Sequence, residues 1–222
     1  MPYTYLNLRC ADIRVAATIS IFAEPSLLEA HSLICATFPN GNAPGHFGRA
    51  ATIMMLVSIA ATSAVRYMDL RKNKPPRSRS DSTIFQECIE RFFPWDHIGV
   101  TDREYIAMGC QRSPAELRKE AAKTLYMAIR NPLLHSGGAV SKTFPKISIQ
   151  HDFPGRSFQE NDADLCDWCN RPTLHGQKVL SFDRFEALLF TRPLYWSTRK
   201  MIEAFAADLD VQADIANNHG FA

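Results

Sequence analysis

The segment AIRNPLLHSGG, residues 128–138, holds two side chains that handle phosphate and protons, Arg130 and His135, with Asn131 directly after the arginine. A guanidinium presents a rigid fork of donors to phosphate oxygens and keeps its charge. An imidazole titrates near neutrality and serves as base or acid. Together they suit transfer at a phosphodiester, which needs a base, an acid and a cation for the phosphorane. With the 2′-hydroxyl of RNA as nucleophile no metal is needed. The products are a 2′,3′-cyclic phosphate and a 5′-hydroxyl, and DNA, lacking that hydroxyl, is spared. One histidine per chain leaves the reaction one proton-transfer group short, so two copies would have to share it across a two-fold axis.

The same residues also suit a plain helix end, with Arg130 favouring the C-terminal dipole and Asn131 capping the next turn. Spacing alone does not choose, because RFFPWDH places Arg91 and His97 in a similar window. Context separates the two: Arg91 runs into bulky apolar residues, whereas Arg130 is followed by a polar side chain and then by glycines. Two other stretches carry reactive types. Arg71, Lys72, Lys74, Arg77 and Arg79 form a basic run without an acid, either a solvated connection or a contact for single-stranded RNA. Cys166, Cys169 and His175, with His151 on the other flank, are zinc-ligand types. A single C-x2-C lacks the second pair of a firm zinc signature, so no metal and no cofactor is expected. Structural zinc on Cys166, Cys169 and His175 is the alternative. Trp95 and Trp168 read as packing residues.

The helix that must position Arg130 is well specified. Ser113, Pro114 and Glu116 make a capping box with proline at the first position. Leu117, Ala121, Leu125, Ala128 and Ile129 then follow on one stripe. Pro132 predicts an end or sharp kink at Asn131, with Asn131 capping a new turn that brings Arg130 and His135 toward one cleft. In an uninterrupted helix the two would lie about 140° apart. Upstream, LLEAHSLICATF reads as helix, PNGNAPGHFG as loop, and residues 46–70 as an apolar, central helix expected to pack antiparallel against 113–131. DSTIFQECIERFF is a shorter helix capped by Asp81 or Ser82 and stopped by Pro94. KISIQ and KVLSF read as a β-hairpin with a long connection. The last stretch, from Phe182, reads as helix bent at Pro193.

On Arg130, Asn131 and His135, and on the helical order of residues 46–140, the chain resembles the HEPN superfamily of all-α domains. Their pattern is an arginine, four to six residues, then a histidine, usually with a polar residue directly after the arginine. The resemblance implies a HEPN-like helical bundle and, in many members, a dimeric, metal-independent endoribonuclease of defence or toxin systems. Other members are silent binding or scaffold modules for RNA, nucleotide or protein. A toxin subgroup carries a modifiable tyrosine two residues after the histidine; Gly137 stands there, so that control is not implied.

Composition limits the rest. The chain has 222 residues, 22% charged, with net charge +2, so no basic field of the whole molecule argues for nucleic acid. The sixteen uncharged residues between Arg49 and Arg66 are rich in Ala, Ser and Thr and read as a buried helix, not a membrane span. VAATISIFA only imitates a signal peptide, and six scattered cysteines read as reduced thiols, so a cytoplasmic protein is expected. The expected organisation is a single, mainly α domain. An N-terminal helical segment covers 1–45, the helical core 46–140, the hairpin and C-x2-C loop 141–182, and a C-terminal helix 183–222.

Overall fold

Ser113 accepts a hydrogen bond from the Glu116 amide at 3.3 Å while the Glu116 carboxylate takes the Ser113 amide at 3.0 Å, so the capping box forms as the sequence requires. The computed structural model describes residues 6–35, 48–68, 79–136, 146–150 and 178–221, the side chains of Cys35, His135 and Ser136 excepted. Within them the chain is mostly helical, with a small four-stranded sheet.

Helices α1 (Ile13–Cys35) and α2 (Gly48–Val65) form the most extensive pair. Small residues on α2 let the backbones come close, and the buried Ser58 hydroxyl donates to the Ala23 carbonyl of α1 at 2.8 Å. Met55, Leu56 and Ile59 are wholly buried. α2 is long and apolar enough to cross a membrane, yet over half of that span is covered by the protein's own helices, as a core helix would be. α3 (Asp81–Phe92) is capped by Ser80, which precedes both expected caps, Asp81 and Ser82; its hydroxyl accepts from the Thr83 amide at 3.2 Å. β1 (Gly99–Asp102) and the short α4 (Arg103–Ala107) follow. Asp102 caps α4 and receives the Arg112 guanidinium at 2.7 Å.

The capped helix α5 (Pro114–Lys123) neither ends nor kinks into an extended residue at Asn131. It passes through a π-helical segment, Thr124–Arg130, and continues as α6 (Asn131–Ser136). Asn131 has φ −62° and ψ −49°, and its amide bonds to the Tyr126 carbonyl five residues back. That pattern explains how Pro132 is accommodated. In an α-helix its ring crowds the carbonyl four residues back and its missing N–H breaks the ladder. The wider i→i−5 turn moves the carbonyls away from that crowding.

The sheet is built from β1, β2 (Lys146–Gln150), β3 (Lys178–Phe182) and β4 (Glu186–Phe190), in the order β1-β3-β4-β2. KISIQ and KVLSF are therefore not a hairpin with one another. β3 turns tightly into β4, with Leu180 opposite Leu189 and Phe182 opposite Ala187, and β2 runs parallel to β4 on its other side. Asp183 closes the turn, its carboxylate accepting from the Phe185 and Glu186 amides at 2.7 and 2.8 Å. β1 joins β3 in parallel, so the sheet draws on the helical core as well as on the stretch before the C-terminal helix.

The C-terminal helix is likewise corrected. Glu186–Phe190 is strand, and α7 (Thr191–Ala207) starts only at Thr191. Pro193 lies in its first turn, where the amides have no intrahelical partner, and so opens the helix without bending it. Asp208 then caps a separate helix, α8 (Leu209–His219), accepting from the Val211 amide at 3.0 Å. Gly220, at φ 73°, ends α8 in the left-handed conformation that glycine adopts without strain.

α7 packs on α1, α2, α3 and the sheet, and its Tyr195 is completely buried. The expected direct pairing of residues 46–70 with 113–131 is not the arrangement found: α2 packs chiefly on α1, α7 and α3. α5 and the π-helical segment pack on α3, and α2 touches the motif helix mainly at α6. Side chains from Leu6 to Ile215 join one hydrophobic cluster.

Candidate functional site

Arg130 closes the π-helical segment, half-buried, with its guanidinium carbon 5.0 Å from the centre of the Tyr126 ring and 6.0 Å from that of Phe85. Tyr126 precedes it by four residues on the same helix, while Phe85 reaches it from α3; the two rings meet at 5.2 Å. The Arg130 Nη1 donates to the Asn131 Oδ1 at 3.2 Å. Its Nε is buried without a hydrogen-bond partner. Among the described residues no carboxylate comes within ion-pairing distance of it. The cation is held by ring faces and one amide oxygen, which fix its plane without cancelling its charge.

Asn131 is therefore a clasp for Arg130 and not the cap of a new turn. His135 follows on α6 with its side chain outside the described part of the structure. The backbone between them is helical, so the two positions lie about 140° apart around the axis. Leu133, buried, anchors α6 to the core, and Leu134 is exposed.

The look-alike window behaves differently. Arg91 is bound by Asp208 at 2.5 Å and Asp210 at 3.6 Å, and the His97 ring stands edge-on to Trp196 at 6.1 Å. Comparison with known protein families, curated proteins and solved structures finds no match for the chain. The site must be read from its own geometry.

Of the basic run, Arg79 lies within the described residues. It pairs with Glu87 at 2.6 Å and sits 5.3 Å from the centre of the Tyr67 ring. Tyr67 and Glu87 also line a cleft of about 410 Å³ with Arg66 and Arg91. Arg66 is itself held by Asp214 at 2.6 Å, so these three guanidinium groups are already neutralised. Arg71, Lys72, Lys74 and Arg77 lie outside the described residues, as do His151, Cys166, Trp168, Cys169 and His175. Among the described residues no three His, Cys, Asp or Glu side chains gather as a metal site would require. Trp95 packs on Phe93 at 4.8 Å and donates its indole N–H to the Ile89 carbonyl at 3.1 Å.

Sequence reasoning missed the aromatic cradle. Tyr126, four residues before Arg130, was open to it through helical spacing. Phe85 was not, because only the packing of α3 on the π-helical segment brings it there.

Proposed function

We propose that the chain is a HEPN-like endoribonuclease that cleaves single-stranded RNA without a metal, using Arg130, Asn131 and His135. One observation carries this reading: Arg130 is clasped by Asn131 and cradled by Phe85 and Tyr126, with no carboxylate partner among the described residues. A guanidinium held this way keeps its field for a phosphate, and its fork matches two non-bridging oxygens of a phosphorane. His135 supplies the base or acid, and its counterpart in a second copy supplies the other proton-transfer group. The mainly helical fold suits the family's architecture.

The protein should cleave single-stranded RNA in EDTA, leave 2′,3′-cyclic phosphate ends and spare DNA. His135→Ala should abolish cleavage with melting nearly unchanged, and Arg130→Lys should fall at least roughly a hundredfold, because an ammonium lacks the planar fork. His97→Ala should cleave normally. Activity that survives His135→Ala, or that EDTA removes, would sink the assignment. The runner-up is a catalytically silent HEPN-like module that binds RNA, nucleotide or protein through Arg130. The unbroken helix from Arg130 to His135 favours it, since the two positions diverge around one axis. RNA binding that depends on Arg130, without cleavage, would select it.

A further inference from the structure

Tyr126 offers Arg130 more than a ring face. Only 8% of the residue is exposed, and its ring packs on Phe85 at 5.2 Å and lies 5.0 Å from the Arg130 guanidinium carbon. Among the described residues its hydroxyl has no hydrogen-bond partner. A buried tyrosine ordinarily gives its hydroxyl a partner, because burying an unmet donor costs free energy. The hydroxyl of Tyr195 is enclosed without one. Tyr126 instead keeps a small opening, with the ring body in the core and the polar end at the surface.

Arg130 itself narrows where a ligand can meet it. Its Nε is buried, and its Nη1 already donates to the Asn131 Oδ1 at 3.2 Å. Nη2 and the second Nη1 hydrogen remain, at the end of the fork away from the main chain. Tyr126 and Arg130 are four residues apart on one helix and so share a face. A neutral donor therefore stands beside a charged one, and neither has an acceptor that fills it.

We propose, on the reading of Arg130 as a phosphate-binding group, that the Tyr126 hydroxyl is a second contact to the same RNA phosphate. One non-bridging oxygen accepts its hydrogen bond while the free end of the guanidinium holds the phosphate by charge. Tyr126 makes and breaks no bond and gives up no proton. Where the phosphate goes on to a phosphorane, the charge gathering on the non-bridging oxygens strengthens both contacts. The site thereby gains a donor from the same chain, whatever His135 of a second copy adds.

Binding of a single-stranded 2′-O-methyl oligoribonucleotide, which lacks the attacking hydroxyl and stays intact, tests this without cleavage. Tyr126→Phe keeps the ring, its packing on Phe85 and its contact with the guanidinium, and removes only the hydroxyl. It should weaken binding at least about tenfold, as loss of a hydrogen bond to a charged group does. Melting should not change, because the hydroxyl has no partner within the fold to lose. Salt dependence separates the two contacts. Arg130→Gln should lower the magnitude of the slope of log Kd against log salt by about 0.7, whereas Tyr126→Phe removes no charge and should leave the slope unchanged. Tyr126→Phe that binds like wild type, while Arg130→Gln binds weakly, overturns the hydroxyl contact and leaves the Arg130 reading standing. A lower melting temperature for Tyr126→Phe would show that the hydroxyl serves the fold, and overturns the contact as well. Wild-type protein that does not bind the oligonucleotide, with Arg130→Gln no different, sinks the Arg130 reading and the hydroxyl contact together.

Discussion

Arg130 and Arg91 each precede a histidine by a few positions, and their surroundings separate them. Arg91 meets Asp208 and Asp210, so its charge is cancelled locally. Arg130 meets two rings and an amide oxygen, so its charge is oriented and kept. Another titratable residue, His31, stacks on the buried Tyr195 at 5.6 Å. Burial, and then the nearby Arg199 charge, hold its imidazole below the usual value of 6.5. The folded state thus binds this proton less readily than the unfolded chain does. The His31 contribution is complete above the unfolded value and is lost as pH falls below it toward the lower folded one. His31→Phe keeps the stacked ring and removes the titration. Its melting temperature should therefore fall less than that of wild type between about pH 7 and about pH 5. Equal slopes for the two proteins would show that His31 does not carry this dependence.

At the scale of elements, the run from Pro114 to Ser136 decides how Arg130 is presented. The N-terminal half was legible, because a capping box and an apolar stripe are local signals. The passage through Pro132 was not. Proline excludes an ordinary α-helical continuation, and both a break and a wide π turn relieve that conflict; packing of Leu125, Ala128, Ile129 and Leu133 into the core selects the second. Pro132→Ala removes the reason for the wide turn. The segment should then tighten to α-helix, rotating Arg130 away from Phe85. Helicity by circular dichroism should stay within error of wild type, while, on the function proposed above, RNA cleavage or binding should fall at least about tenfold, as small displacements of reacting groups do. Unchanged activity would mean that the π turn is held by core packing alone.

Across the whole molecule, one hydrophobic cluster joins the bundle to the sheet. Leu189 illustrates it: wholly buried on β4, it pairs with Leu180 of β3 and lies in the strand between β3 and β2. Leu189→Ala should cost about 2–5 kcal/mol. Because the core is shared, urea unfolding should remain a single transition by both far-ultraviolet dichroism and tryptophan fluorescence. Two separated transitions would mean that the sheet folds on its own, as an appendage to the bundle would.

Local rules in the sequence determined the capping box at Ser113, the helical character of residues 48–65 and 81–92, and the stripe that buries α5. Each rests on interactions within about one helical turn, which residue types and spacing express directly. Tertiary structure alone decided the rest. Glu186–Phe190 has the composition of a helix, yet it is a strand, because burial between β3 and β2 outweighs a propensity difference of a few tenths of a kcal/mol per residue. β1 is four residues long and pairs with a strand that begins 79 positions later, a partnership that no local pattern announces. The cradle around Arg130 needed Phe85, which only the packing of another helix brings to it.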